Sequence, residues 1–292
     1  MANKEKKNRR LLVQALWTAL TNGYLYGFIS GKIYTGKTKD FCVPGLNCYS
    51  CPGALGSCPI GSLQASLNSP LSKVSFYVFG FLLLFGSLFG RFVCGWLCPF
   101  GMVQDLLYKI PLLKKRKNLP GHNTLRWFKF LVLALFVLIL PISATDASGS
   151  GQPWFCEYIC PSGTLLGSIP LIITNHDLLE IIGFRFWWKI GLLLTIIIVS
   201  VKVYRPFCKY LCPLGAFYSL FNPIALYQYN LNKELCNGCG ACERKCRMGV
   251  NPATNPNSME CIRCGDCISA CTRGAISIRS LTNKEEDTNK TD

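Results

Sequence analysis

Two stretches of the chain carry the same ladder of thiols, Cys236-x2-Cys239-x2-Cys242-x3-Cys246 and Cys261-x2-Cys264-x2-Cys267-x3-Cys271. This spacing constrains the fold most, because a tight loop lets three thiolates face one four-iron cubane while the fourth, launched on a short helix, reaches a second. Cys236, Cys239, Cys242 and Cys271 are therefore assigned to one 4Fe-4S centre, and Cys261, Cys264, Cys267 and Cys246 to another. Zinc sites use two separated pairs instead, and disulfides are rare in the cytoplasm. Arg247 and Thr272 follow the fourth Cys of each ladder, where a proline is common. Every ligand stays in place.

The rest of the chain is a different material. Half of all residues are hydrophobic (50%) and only 16% are charged, a profile foreign to ordinary soluble domains. The apolar character falls after about residue 228, which divides the chain into a membrane part (1–228), a small Cys-rich module (229–280) and a polar tail (281–292) read as disordered. Four segments suit a bilayer crossing: Leu11 to Ser30, Val74 to Trp96, Trp127 to Ser143 and Phe186 to Val203. Lys4, Lys6, Lys7, Arg9 and Arg10 precede the first, which lacks a small-residue cleavage site and reads as an uncleaved signal anchor. Lys109, Lys114, Lys115, Arg116, Lys117, Arg126 and Lys129 follow the second. The positive-inside rule puts both clusters in the cytoplasm, and the loop bearing Asp146, Glu157, Asp177 and Glu180 outside. The expectation is a multi-pass protein of the bacterial cytoplasmic (inner) membrane with both termini cytoplasmic.

Cys-Pro-x-Gly occurs at Cys58, Cys98, Cys160 and Cys212. With the topology above, the first and third copies lie outside and the second and fourth inside, so the halves form a parallel repeat with a pseudo-twofold axis along the membrane normal. Cys94 and Cys98, spaced to share one face of a helical turn, would meet Cys208 and Cys212 across that axis. Four soft thiolates suit a third cubane; unligated, packed cysteines are the bland alternative. Outside, Cys51, Cys58, Cys156 and Cys160 follow the repeat logic for a fourth cluster, with Cys48 able to replace one of them. That choice leaves Cys42 and Cys48 as a disulfide or accessory ligands. Three disulfides among these six are the competing reading in an oxidising compartment.

Several functions are disfavoured. The only histidines, His122 and His176, fall in expected loops, so a bis-histidine haem in the bilayer has no ligands. No Gly-rich dinucleotide or Walker pattern occurs. The formal charge of +16 is no sign of nucleic acid, since each thiolate-held 4Fe-4S centre carries roughly two negative charges and several would cancel about half of it. Asp105, beside Gln104, reads as a solvated helix-end carboxylate or as part of a quinone site.

The four Cys-Pro-x-Gly motifs and the tandem ladder resemble the membrane polyferredoxin family of NapH type, a quinol-dehydrogenase-like subunit accompanying periplasmic nitrate reductase. They also resemble the membrane portion of NosR-type regulators and a related cytochrome-oxidase accessory protein. The resemblance covers about Leu11 to Ile278; the Cys-rich loop from Cys42 to Cys51 departs from the simplest nitrate-reductase pattern. The fold expected is an all-α domain of four transmembrane helices in a parallel repeat, followed by a small α+β two-cluster ferredoxin domain. The function expected is a one-electron relay between a cytoplasmic ferredoxin or reductase and an extracytoplasmic flavoprotein or reductase, or the quinone pool. A quinol-dehydrogenase subunit acting at one face, and a cluster-bearing redox sensor or metalloenzyme-assembly protein, are the alternatives.

Overall fold

The computed structural model describes residues 2–68, 76–143 and 151–279. The side chains of Lys4, Lys6, Lys7 and His176, the segment start at Val74, Asp146 and the 281–292 tail lie outside the described residues.

The expected first crossing is divided. Helix α1 (Ala2–Thr21) stops before Gly23, and a short α2 (Leu25–Ser30) follows. From there a loop carries Cys42, Cys48 and Cys51 to α3 (Pro59–Leu67), and α4 (Phe76–Phe89) leads to a short α5 (Phe92–Trp96) and then α6 (Pro99–Leu107). The second half repeats this order with α7 (His122–Ser143), α8 (Pro161–Thr174), α9 (Phe184–Lys202), α10 (Pro206–Tyr210) and α11 (Pro213–Phe221). Helices α7 and α9 are long and apolar enough to cross a membrane; α4 and α8 are shorter apolar helices. Trp127, Phe128, Leu131, Ile139 and Ile142 on α7, and Trp187, Trp188, Leu194 and Ile198 on α9, are exposed. Such outward apolar faces with tryptophans toward one end are what a lipid environment accommodates.

All four Cys-Pro-x-Gly motifs start helices. Cys58, Cys98, Cys160 and Cys212 are extended N-cap residues with Pro at the first helical position, where its fixed φ and missing N–H do no harm. The positive end of each helix therefore faces its own sulfur, and Cys212 Sγ accepts from Gly215 N at 3.3 Å. Inside α7 and α8 the chain widens to π-helical turns at Leu133–Ile139 and Thr164–Ser168. Pro141 and Pro170 follow each, and a proline removes the N–H that an α-helical turn would use.

The polar module begins at strand β1 (Tyr229–Leu231), antiparallel to β2 (Ile276–Ile278) in the register Tyr229↔Ile278. Between them lie α12 (Ala241–Lys245) and α13 (Asp266–Ala270), which pack together. The module is clamped to the membrane part. Ile262 is fully buried in the core that holds Cys94 and Cys98, Arg263 donates to Phe89 O and Asn222 O, and Asn222 donates to Ser258 O and Cys261 O.

Candidate metal centres

In the polar module the crossed pairing emerges from the short helices. Cys246 and Cys271 cap the C-termini of α12 and α13, so each fourth thiol is carried away from its own loop. Cys236, Cys239, Cys242 and Cys271 line one pocket. The sulfurs of Cys261, Cys264, Cys267 and Cys246 interact electrostatically with one another. The first tetrad is at the surface, with Cys239 exposed; the second faces the membrane domain, with Cys267 buried. Arg247, in the proline position, has its carbonyl accept from Lys209 Nζ at 3.2 Å, so that departure serves docking.

The inner tetrad is fully enclosed: Cys94, Cys98, Cys208 and Cys212 are all buried and lie within electrostatic reach of one another. The expected single helical turn is corrected here. Cys94 and Cys208 lie in α5 and α10, the helices end at Leu97 and Leu211, and Cys98 and Cys212 cap the next ones. A helix break, rather than one helix face, aims each pair.

Two arginines lock the halves reciprocally. Arg91, three residues before Cys94, donates to Cys208 O at 2.7 Å, and Arg205, three before Cys208, donates to Cys94 O. The motif glycines make room. A Cβ at Gly101 would stand 3.1 Å from Cys94 O and 3.2 Å from Arg205 Nη1, and one at Gly215 would stand 3.3 Å from Cys208 O. The sequence reading missed both arginines, although Arg-x2-Cys-x3-Cys-Pro-x-Gly occurs in each half.

The counterions come from different domains. Asp105 takes Arg205 on both oxygens, at 2.7 and 2.6 Å, and Arg10 at 2.9 Å; Glu260, from the polar module, takes Arg91 at 2.7 Å and Lys129. Burial alone would raise the Asp105 carboxyl, but the two guanidiniums outweigh it and hold it below its ordinary value. Asp105 is thus neither solvated nor free to meet a quinone. His122, expected in a loop, is the first residue of α7, its Nδ1 3.0 Å from Tyr210 Oη.

The outer group brings in the substitute, Cys48, in place of the repeat-derived Cys51. Cys48, Cys58, Cys156 and Cys160 line one cavity of about 150 Å³, while Cys51 is absent from its walls. Cys48 sulfur stands over α8, 3.4 Å from where a Cβ on Gly167 would lie, and Cys156 sulfur similarly over Gly61 at 3.8 Å. The turn that closes with Cys51 N donating to Cys48 O at 3.1 Å gives the two sulfurs different neighbours. Repeat alignment put the motif's Cys51 forward; only the course of the loop selects Cys48. Cys42 Sγ lies 3.8 Å from Ser57 Oγ, and no disulfide joins any two of the eighteen cysteines.

The inner and outer tetrads are neighbours. The loop Pro44–Leu46 reaches the inner motif, where a Cβ on Gly45 would lie 3.1 Å from Cys98 Cα. Tyr218, fully buried, donates to Pro44 O at 3.3 Å and is within electrostatic reach of Cys94, Cys98, Cys42 and Cys58.

The donor chemistry fits cubanes better than single ions. Among the described residues no three Cys, His, Asp or Glu side chains converge on one metal-ion position, whereas tetrahedral zinc gathers its sulfurs about one point at roughly 2.3 Å. Charge points the same way. Arg10, Arg91, Lys129, Arg205 and Lys209 are buried with two buried carboxylates, Asp105 and Glu260, and uncompensated buried charge is costly. Burial, with Cys98 alongside, pushes the Cys208 thiol up to about 11, so free thiols would be neutral and offer no anion. A cubane on four thiolates, carrying roughly two negative charges, would. In the outer cavity, Asn47 Oδ1 and Ser162 Oγ are buried without a partner, and Lys189 donates to Cys156 O at 3.2 Å.

The 4Fe-4S binding domain family matches residues 73–120, 128–169 and 184–226, stretches that contain both inner pairs and the Cys156/Cys160 pair. Two uncharacterized proteins of Methanocaldococcus jannaschii are each 32% identical, over 66% of this chain and 66% of the relative in one case, and 74% and 81% in the other. The regulatory protein NosR of Stutzerimonas stutzeri is 29% identical over 62% of this chain, which spans 23% of NosR. No solved structure matches.

Proposed function

Because this chain belongs to the 4Fe-4S family of membrane-associated, ferredoxin-type electron-transport proteins, we propose that it is a four-cluster relay carrying electrons across the bacterial cytoplasmic membrane. The ligand sets are Cys236/Cys239/Cys242/Cys271, Cys246/Cys261/Cys264/Cys267, Cys94/Cys98/Cys208/Cys212 and Cys48/Cys58/Cys156/Cys160. The observation that carries the reading is continuity. The surface tetrad shares α12 and α13 with the second, the second is clamped on the inner tetrad through Ile262 and Asn222, and Tyr218 with Pro44–Leu46 joins inner to outer. When bound, the clusters supply one-electron carriage at potentials set by charge, hydrogen bonds and burial. The chain's own residues keep the tetrads adjacent, exclude water and compensate charge.

The basic residues at positions 109–117 support a cytoplasmic polar module and termini in a four-crossing topology. A soluble ferredoxin or reductase would then meet the exposed Cys239 edge, and an extracytoplasmic flavoprotein or reductase would meet the outer side. Iron and acid-labile sulfide in anaerobically purified protein test the cluster number: about sixteen of each per chain supports the relay, and about eight leaves only the polar module loaded.

A one-face quinol reading draws on an apolar groove of about 390 Å³ lined by Leu125, Phe128, Ile196, Phe207, Tyr210 and Leu211, beside the inner tetrad and the His122–Tyr210 pair. Sealed liposomes separate the two. Reduction of a trapped soluble acceptor by an external donor without quinone supports the relay; a strict quinone requirement supports the one-face reading.

A further inference from the structure

Resting on the four-cluster reading, we propose that Arg91 and Arg205 raise the reduction potential of the inner cluster held by Cys94, Cys98, Cys208 and Cys212, and that Glu260 lowers it while the ferredoxin domain is docked.

The two guanidiniums are permanently charged, wholly buried, and anchored on the carbonyls of Cys208 and Cys94, so they cannot swing away from the sulfurs they face. Reduction adds one negative charge to a centre already carrying roughly two. Burial by itself opposes that addition. The buried cations favour it, and at low dielectric their effect is large. Arg205 shares Asp105 with Arg10, Arg91 shares Glu260 with Lys129, and Lys209 is held by Lys117 O, Asn118 Oδ1 and Arg247 O, without a carboxylate. With Arg263, also buried at this junction on Phe89 O and Asn222 O, six cations stand against two carboxylates, a surplus of four positive charges, and Arg91, Arg205 and Lys129 are within electrostatic reach of the inner sulfurs.

The neighbouring tetrad draws on the same junction: Arg263 and Arg91 act on Cys261, Arg10 and Asp266 on Cys264, and Lys209 on Cys246. Glu260 gives the arrangement a second property. As a carboxylate of the ferredoxin domain that neutralises cations of the membrane domain, it lowers the inner potential while that domain is docked.

The test is a redox titration of the full chain, followed by electron paramagnetic resonance, with iron counted on each sample. Arg91→Gln and Arg205→Gln should each shift the inner reduction equilibrium at least tenfold toward the oxidised form, about 59 mV for one electron. Arg91→Lys should retain most of the original value. Glu260→Gln should move it the opposite way, which keeps the inference testable if a glutamine variant loses its cluster. Unmoved potentials, or a lysine variant that falls as far as glutamine, would each overturn it. Eight irons in the unsubstituted protein would instead defeat the four-cluster reading.

Discussion

The inner and outer tetrads use the same device, an N-cap cysteine followed by proline and glycine, yet they are finished in opposite ways. Inside, two equal Arg-x2-Cys-x3-Cys-Pro-x-Gly segments close on each other, and every polar atom of the enclosing arginines except Arg91 Nε finds a partner. Outside, the compact Cys156/Cys160 segment meets a long loop that supplies Cys48 and Cys58 from ten residues apart, and Ser162 Oγ and Asn47 Oδ1 have no hydrogen-bond partner among the described residues. The inner site is a fixed electrostatic environment. The outer one is looser, its cations two lysines, Lys39 and Lys189, that act on Cys48.

The sharpest way to break this comparison is to remove single thiols. Cys48→Ser should lower iron by about four per chain, as should Cys94→Ser, whereas Cys51→Ser should leave iron unchanged. Loss of four irons on Cys51→Ser would restore the repeat-derived ligand set and remove the asymmetry.

The motif glycines give a smaller effect. Gly101→Ala puts a methyl group against Cys94 O and Arg205 Nη1 and should destabilise by about 1–3 kcal/mol, read as a fall in unfolding midpoint. Gly61→Ala, whose nearest new contact is at 3.8 Å, should change stability by less than about 0.5 kcal/mol. Equal effects would mean that the two motifs are equally tight.

Tyr218→Phe removes the hydroxyl that holds Pro44 O between the tetrads. A loss of about 1 kcal/mol is expected, together with weaker magnetic coupling between inner and outer clusters; unchanged coupling would mean that the loop is held without it. The smallest effect is reserved for Ser162→Ala. Removing a donor aimed into the outer cavity should lower the outer cluster's potential with little change in folding stability, and a redox titration checks it.

Much of the site was legible because thiol spacing is local geometry. The ladders fix which sulfurs face one another through tight loops and one-turn helices, so their crossed pairing needed no knowledge of the rest. The inner tetrad was legible for a related reason, since a repeated motif implies a symmetric meeting. Cys48 was legible only as a substitute, because its place in the cavity wall instead of Cys51, three residues away, depends on how the loop rests against α8 and Gly167. Asp105 misled because an acidic residue shortly after an inner motif reads as a solvated helix-end carboxylate; its partners Arg205 and Arg10 lie 100 and 95 residues away. The arginines were visible in both halves, but their roles appear only when each is seen on the opposite half's carbonyl.

The sequence alone determined the kind of chemistry, the spacing of the thiol ladders and the apolar character of 1–228, all set by short-range spacing and by composition. Only the tertiary structure decided which loop cysteine lines the outer cavity, which carboxylate answers each buried arginine, and that one tyrosine stands between the inner and outer tetrads. Those outcomes depend on the burial of charge and shape between segments distant in the chain, and no local pattern encodes where such segments meet.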